Sequence, residues 1–160
     1  MPVDPAAAPN RLPWPPLLYG GALVAGAVAE ILLPTSVPLP AALGWAIAAV
    51  GAGFDLAAMA TMWRARTNIL PHRAADSLVT GGPFALSRNP IYLGNTLVLL
   101  GLALAFDSLW LAAGALAAAV LTHRLAILRE EAHLEARFGD AWRRYRAAVP
   151  RWIGPPRRKR

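Results

Sequence analysis

Two polar segments interrupt an otherwise apolar chain, and together they hold most of the side chains able to do chemistry. The first is Leu78–Gly94, LVTGGPFALSRNPIYLG, and the second is Arg124–Tyr145, RLAILREEAHLEARFGDAWRRY. In the first, Gly81-Gly82-Pro83 forces a turn and leaves backbone amides around Val79 and Gly82 open to a ligand. Arg88 can bind an anionic group. Pro90 biases Asn89 toward an extended backbone, so its amide can point away from the helix that follows. Pro90 itself suits a first helical turn, where Tyr92 and Gly94 come next. In the second segment Glu130 and Glu131 are adjacent carboxylates, about 100° apart around a helix. Arg124 and Glu131, about two turns apart, share a face of a regular helix. Each segment alone also fits a plainer account. The first is then a loop and helix start with Arg88 and Tyr92 as interfacial anchors. The second is then a solvated charged helix with surface ion pairs. The chain has no cysteine, which excludes disulfides, thiolate metal sites and a cysteine nucleophile. His72 and His133 lack metal-ligand spacing, and no metal site is read.

The elements that must position these residues are membrane helices. The 160-residue chain is 56% hydrophobic and 16% charged, which fits a membrane protein of a single domain. Residues 1–16 are proline-rich and lack the features of a signal peptide. They read as a flexible cytoplasmic tail. Apolar runs occupy 17–33, 41–63, 91–106 and 109–128, against the ~20 residues needed to cross a ~30 Å hydrocarbon core. Gly20, Gly21, Ala25, Gly26 and Ala29 favour close helix packing in the first run. Asp55 is costly in lipid, so it is expected to be paired within the bundle. Residues 34–40 form an uncharged turn. Asp107-Ser108 makes another, with Ser108 able to cap the next helix. The 64–90 connection is re-entrant or interfacial, and its length suits a functional role. The fourth run continues without Gly or Pro into the charged stretch 129–138, as one long helix leaving the membrane and ended by Gly139. Residues 140–149 form a short amphipathic helix suited to lie on the membrane surface, with Trp142, Tyr145 and Trp152 as interface anchors. Residues 154–160 are a basic tail.

Charge gives the topology. Every Lys and Arg lies in the amino tail, in the 64–90 connection, or from the end of the fourth run onward. The positive-inside rule places all three, and so both termini, in the cytoplasm, as in a bacterial inner membrane. The net charge of +7 suits an anionic membrane surface. No nucleic-acid motif is present, so no nucleic-acid partner is expected. The fold class expected is an all-α integral membrane protein of about four transmembrane helices, with a cytoplasmic cofactor-binding cap and an amphipathic carboxy-terminal helix; residues 17–63 hold helices one and two, and 64–153 form the catalytic core. No internal repeat is evident.

Taken together, the motifs are more specific than either alone. Gly82-Pro83-Phe84, then Ser87-Arg88-Asn89-Pro90, Tyr92 and Gly94, then Glu130-Glu131, Leu134, Arg137-Phe138-Gly139, Trp142 and Tyr145 resemble the isoprenylcysteine carboxyl methyltransferase family. That family groups with the phospholipid N-methyltransferases. The resemblance implies methyl transfer from S-adenosyl-L-methionine to a lipophilic acceptor at the membrane–cytosol boundary. It implies Arg88, Arg124 and Glu131 as catalytic, and Val79, Gly82, Asn89, Pro90, Tyr92, Gly94, Glu130, Glu131 and Tyr145 as cofactor-binding, with Tyr145 closing over the cofactor. The family pattern has tyrosine at Phe84 and histidine at Asn89. Asn89 can still hydrogen-bond but cannot titrate near neutrality, which weakens a general-base role and leaves cofactor binding intact. The acceptor is open among an isoprenylcysteine-like carboxylate, an isoprenoid acid, a phospholipid amine and a thiol, as is the oligomeric state. The acceptor is expected to enter from the bilayer. The alternative is an NADPH-dependent membrane reductase resembling the carboxy-terminal domain of steroid reductases.

Overall fold

Prolines and small polar residues set the ends of the helices. The computed structural model describes residues 9–10, 12–36, 38–68 and 75–154. Helix α1 is Trp14–Leu32, with proline in its first turn, where a missing N–H costs no hydrogen bond. Helix α2 is Ala41–Arg64, and α3 is Pro90–Ala105, opening on Pro90 itself. Helix α4, Leu109–Thr122, is capped by Ser108, whose Oγ accepts from the Leu111 amide at 3.2 Å. A π-helical turn, His123–Ile127, joins it to α5, Leu128–Ala148. The expected long helix is therefore present as one rod. It breaks at Gly139, whose φ of +51° few other residues adopt. A 3-10 turn at Gly82–Ala85 lies in the long connection.

This is an all-α membrane protein. Helices α1 and α2 and the rod Leu109–Ala148 are each long and apolar enough to cross a membrane, and α3 is a shorter apolar helix. The packing is inside out relative to a soluble bundle. Large apolar side chains such as Val24, Ile31, Leu56, Leu116 and Val120 face outward, while Ala48, Ala58, Ala103, Ala115 and Ala118 are buried. Small residues let backbones approach where lipid provides no hydrophobic drive for association. Helices α2 and α3 meet along Gly44 and Gly51 on one side and Gly94 and Gly101 on the other. A Cβ on Gly51 would lie 2.7 Å from the Gly94 oxygen and from the Val98 amide. On α1 only part of the expected small-residue contact forms. Gly26 abuts Leu111, whereas Gly20 and Gly21 face open space.

Two expectations need correction. Residues 9–16 are not a free tail: α1 begins at Trp14, Pro15 is buried and Asn10 is 1% exposed. Prolines at the start of α1 initiate it rather than hold it open, and the Asn10 amide finds a partner inside the protein. The rest of that stretch, 1–8 and 11, lies outside the described residues, as do His72 and the tail beyond Gly154. Asp55 is not paired either. Its Oδ1 sits against Gly94, in space that the missing side chain leaves, with no hydrogen-bond partner among the described residues.

The two ends of the bundle differ as the charge pattern does. At the end without Lys or Arg, Trp110 Nε1 donates to the Leu33 oxygen at 2.8 Å and the Leu109 amide to Thr35 Oγ1 at 2.9 Å. The arginine-rich segments gather at the other end. Across the bundle, the Tyr19 hydroxyl donates to the Tyr92 carbonyl at 3.1 Å and lies 2.6 Å from Thr96 Oγ1, tying α1 to α3. The glycine seam should be the weak point of the fold. Gly101→Val should cost about 2 kcal/mol or more by overpacking, read as a lower melting temperature in detergent. Gly20→Val, on open surface, should leave melting nearly unchanged.

Candidate active site

Arg88 is the link between the two polar motifs. The Arg88 amide donates to the Pro150 oxygen at 3.0 Å, and its Nη1 donates to the carbonyls of Arg146 at 2.9 Å and Val149 at 3.3 Å. Its Nη2 reaches Glu131 Oε1 at 2.9 Å, and its guanidinium carbon lies 5.7 Å from the centroid of the Trp142 ring. The neighbours of Arg88 join the same clasp. Ser87 Oγ and Asn89 Nδ2 both donate to the Arg151 oxygen, at 3.3 and 2.9 Å. Asn89 makes no side-chain cap on α3, and its backbone, at φ −128° and ψ 57°, is not the extended one expected before Pro90.

Glu131 is held from both sides. Besides Arg88 it receives Arg151 in a bidentate pair, Nε to Oε1 at 2.8 Å and Nη2 to Oε2 at 2.6 Å. Side-chain exposure is 6% for Arg88 and 10% for Glu131, against 35% for Arg151. Burial alone would raise the Glu131 carboxyl, but the Arg151 hydrogen bonds and the Arg88 charge outweigh it and hold the group below its ordinary range. With its oxygens committed to two arginines, Glu131 braces the loop against the chain beyond α5.

Glu130 is in a different environment. Its Oε1 accepts from the Tyr92 hydroxyl at 2.8 Å and from Asn10 Nδ2 at 3.2 Å, and among the described residues no arginine pairs with it. Burial pushes its carboxyl up to about 7, opposed by those two hydrogen bonds and reinforced by the neighbouring Glu131 charge. Glu130 and Glu131 both line one cavity of about 880 Å³, counted to its open mouth. Leu78, Val79, Phe84, Leu134 and Trp142 supply apolar walls, and Met62 and Ile91 lie on the side toward the bundle. Tyr145 also lines it, its hydroxyl donating to the Phe84 oxygen at 2.7 Å. Two cavity-lining residues also carry a buried donor, Arg88 Nε and Trp142 Nε1, with no partner among the described residues.

The structure thus gathers Val79, Arg88, Asn89, Pro90, Tyr92, Glu130, Glu131 and Tyr145 around one cavity. Three other expected residues are elsewhere. Arg124 is exposed and does not line the cavity. It lies in the π-helical turn, and that extra residue rotates the downstream helix by about 100°, so the face it would share with Glu131 in a regular helix is lost. Gly82, at φ +57°, makes the turn against Thr61 of α2. Gly94 is buried against Asp55 and Gly51, so its work is helix packing. Trp142 and Tyr145 are buried side chains of the cap, in edge contact at 5.6 Å, not surface anchors. Gly139 turns the last segment of α5 back, so its apolar face covers the loop instead of lipid. Asn10, Thr67, His133 and Arg151 also belong to the site, and sequence reasoning gives none of them a place there. A lone asparagine or a single arginine in a basic stretch carries no pattern that marks a long-range partner.

An all-helical membrane bundle capped by a largely apolar cavity with a few charged groups in its wall, built from a pre-helix loop and a charged helical extension, defines the class of protein. The chain belongs to the phospholipid methyltransferase family, whose profile matches residues 39–141. This bears out the resemblance carried by the two motifs and leaves the reductase alternative without support. The chain is also 35% identical over 103 residues to the nickel-cobalt-cadmium resistance protein NccN of Alcaligenes xylosoxydans xylosoxydans, covering 62% of this chain. It spans about half the length of that relative, 47%.

Two outcomes are expected from the contrasting carboxylates. Arg88→Ala should cost about 3 kcal/mol of stability, because it strips a buried carboxylate of one partner, and Arg151→Ala should cost less. Arg88→Lys should recover little, since an ammonium cannot span the same carbonyls and carboxylate. Thermal unfolding in detergent ranks the three. For Glu130, the folded state keeps the proton to higher pH than the unfolded chain does. Its stabilising contribution is full below pH 4.5, is lost as pH rises toward about 7, and is flat above. Melting temperature measured across that window should fall less steeply in Glu130→Gln than in the wild type.

Proposed function

We propose that the protein transfers a methyl group from S-adenosyl-L-methionine to a lipophilic acceptor at the cytoplasmic face of the membrane. The observation that carries this reading is the cavity, whose lining fits such a donor. Arg88 Nε and Trp142 Nε1 are buried donors without partners among the described residues, suited to a carboxylate or ring nitrogen. Glu130, unpaired with any arginine, suits hydroxyls, an ammonium or the sulfonium charge. Leu78, Val79, Phe84 and Leu134 suit the face of an adenine. These are the residues that would hold it. When bound, S-adenosyl-L-methionine supplies an electrophilic methyl group.

The rest is work for the chain's own residues. The Arg88–Glu131–Arg151 brace keeps the loop and α5 at fixed separation, so reacting groups can be held at attack distance. Burial around Trp142 and Tyr145 excludes water. A carboxylate or thiolate acceptor needs no proton removed, whereas an amine acceptor must lose one, and Glu130 Oε1 or Oε2 is the group near enough to the cavity to take it. Met62 and Ile91, at the end of α2 and the start of α3, favour arrival of the acceptor from the bilayer side. Its chemical class is open among carboxylates, amines and thiols. Membrane lipids are the surrounding partners.

Calorimetric titration in detergent tests the donor. S-adenosylhomocysteine should bind and NADPH should not, and Glu130→Gln should weaken the former about tenfold. Binding of NADPH alone would sink the reading. Incubation with a labelled methyl donor and a native lipid extract then identifies the acceptor. The side of the membrane is tested separately, because the chain has no cysteine to interfere. In a bacterial inner membrane, a cysteine placed at Ser36 should react with an impermeant maleimide from outside, and one at Ala65 should not.

A further inference from the structure

The family profile begins at residue 39, yet a residue far ahead of it reaches the centre of the site. We propose that Asn10 is a positioning residue of the active site, holding the Glu130 carboxylate from the segment ahead of α1. This rests on the reading of the cavity as the methyl-donor site.

Three observations carry it. Asn10 Nδ2 donates to Glu130 Oε1 at 3.2 Å across 120 positions of sequence, and Asn10 is 1% exposed. Burying the Nδ2 donor is costly unless it is hydrogen-bonded, and Glu130 supplies that partner. The segment is anchored on both sides of Asn10: Pro9 lines the cavity, Pro15 is buried, and the Trp14 amide donates to the Leu12 oxygen at 2.9 Å. Finally, the second donor to Glu130 Oε1 is Tyr92, whose own carbonyl is held by the Tyr19 hydroxyl of α1. Both donors to Glu130 thus depend on the amino-terminal segment and α1, one directly and one through Tyr92.

The consequence is geometric. Among the described residues no arginine fixes Glu130, unlike Glu131. Without Asn10 the carboxylate keeps only Tyr92 and can swing on its side-chain torsions. Among the described residues, the other ionisable groups about it are Tyr92 from α3, Glu131 and His133 from α5, Arg88 from the loop, and Arg151 beyond α5, the last two bound to Glu131.

The test uses the full chain in detergent, with Asn10→Ala and Asn10→Asp, each alone and with Glu130→Gln. Asn10→Asp keeps the shape, removes the donor and adds a charge, so it stays informative if the alanine variant folds poorly. The first readout is melting temperature against pH without any ligand. Both variants should move the midpoint of the Glu130-dependent fall upward, by about one pH unit for the aspartate. Neither should have this effect in the Glu130→Gln background. The second readout is affinity for S-adenosylhomocysteine, expected to drop about tenfold. Unmoved midpoints, or shifts that persist without Glu130, overturn the proposal while wild-type binding keeps the donor reading. Coupled shifts with no wild-type binding leave the Asn10–Glu130 link standing and remove the donor reading instead.

Discussion

Glu131 sits between two guanidinium groups, one from the loop before α3 and one from the chain beyond α5. Most of the architecture at the arginine-rich end is arranged around that contact. Arg88 brings its loop to the carboxylate and also satisfies carbonyls at the end of α5. Arg151 closes the other side with a bidentate pair. Charges this poorly hydrated are tolerable only when every partner is present. The loop and the last helix must therefore arrive together, and the cavity between them inherits its walls from that requirement.

The adjacent Glu130 shows how one helical step can separate two roles. Rotation by about 100° takes it away from the arginines and toward Tyr92 and Asn10. A carboxylate neutralised by two arginines stays ionised and rigid. One met only by a phenol and an amide sits near its point of titration, which suits a group that meets a cationic or protonated ligand. The division of labour within the paired glutamates comes from their surroundings, since the two side chains are chemically identical.

The membrane part supplies placement more than chemistry. Glycines at the α2–α3 seam let those helices touch backbone to backbone, which fixes where the α2 end and the α3 start stand below the cavity. Tyr19 carries that registration to α1 through the Tyr92 carbonyl and Thr96. The rod from Leu109 to the break at Gly139 then delivers the glutamates to the same end, with a π-helical turn setting their final rotation.

Much of this was legible in the sequence, for a clear physical reason. Apolar run lengths answer to bilayer thickness, prolines and Ser108 act on their own neighbours, and arginine asymmetry answers to the membrane potential and insertion. Each is a local or one-dimensional constraint, so four apolar segments, their turns and the two polar motifs could be read directly. The roles of Glu130 against Glu131, the exclusion of Arg124 by a π-helical turn, the burial of Trp142 and Tyr145, and the recruitment of Asn10 and Arg151 could not. They depend on which groups meet across tens of residues and on rotations of a fraction of a helical turn. Only the packed structure decides those, because the cost of leaving a buried charge or amide unpartnered is settled by neighbours that the local sequence does not contain.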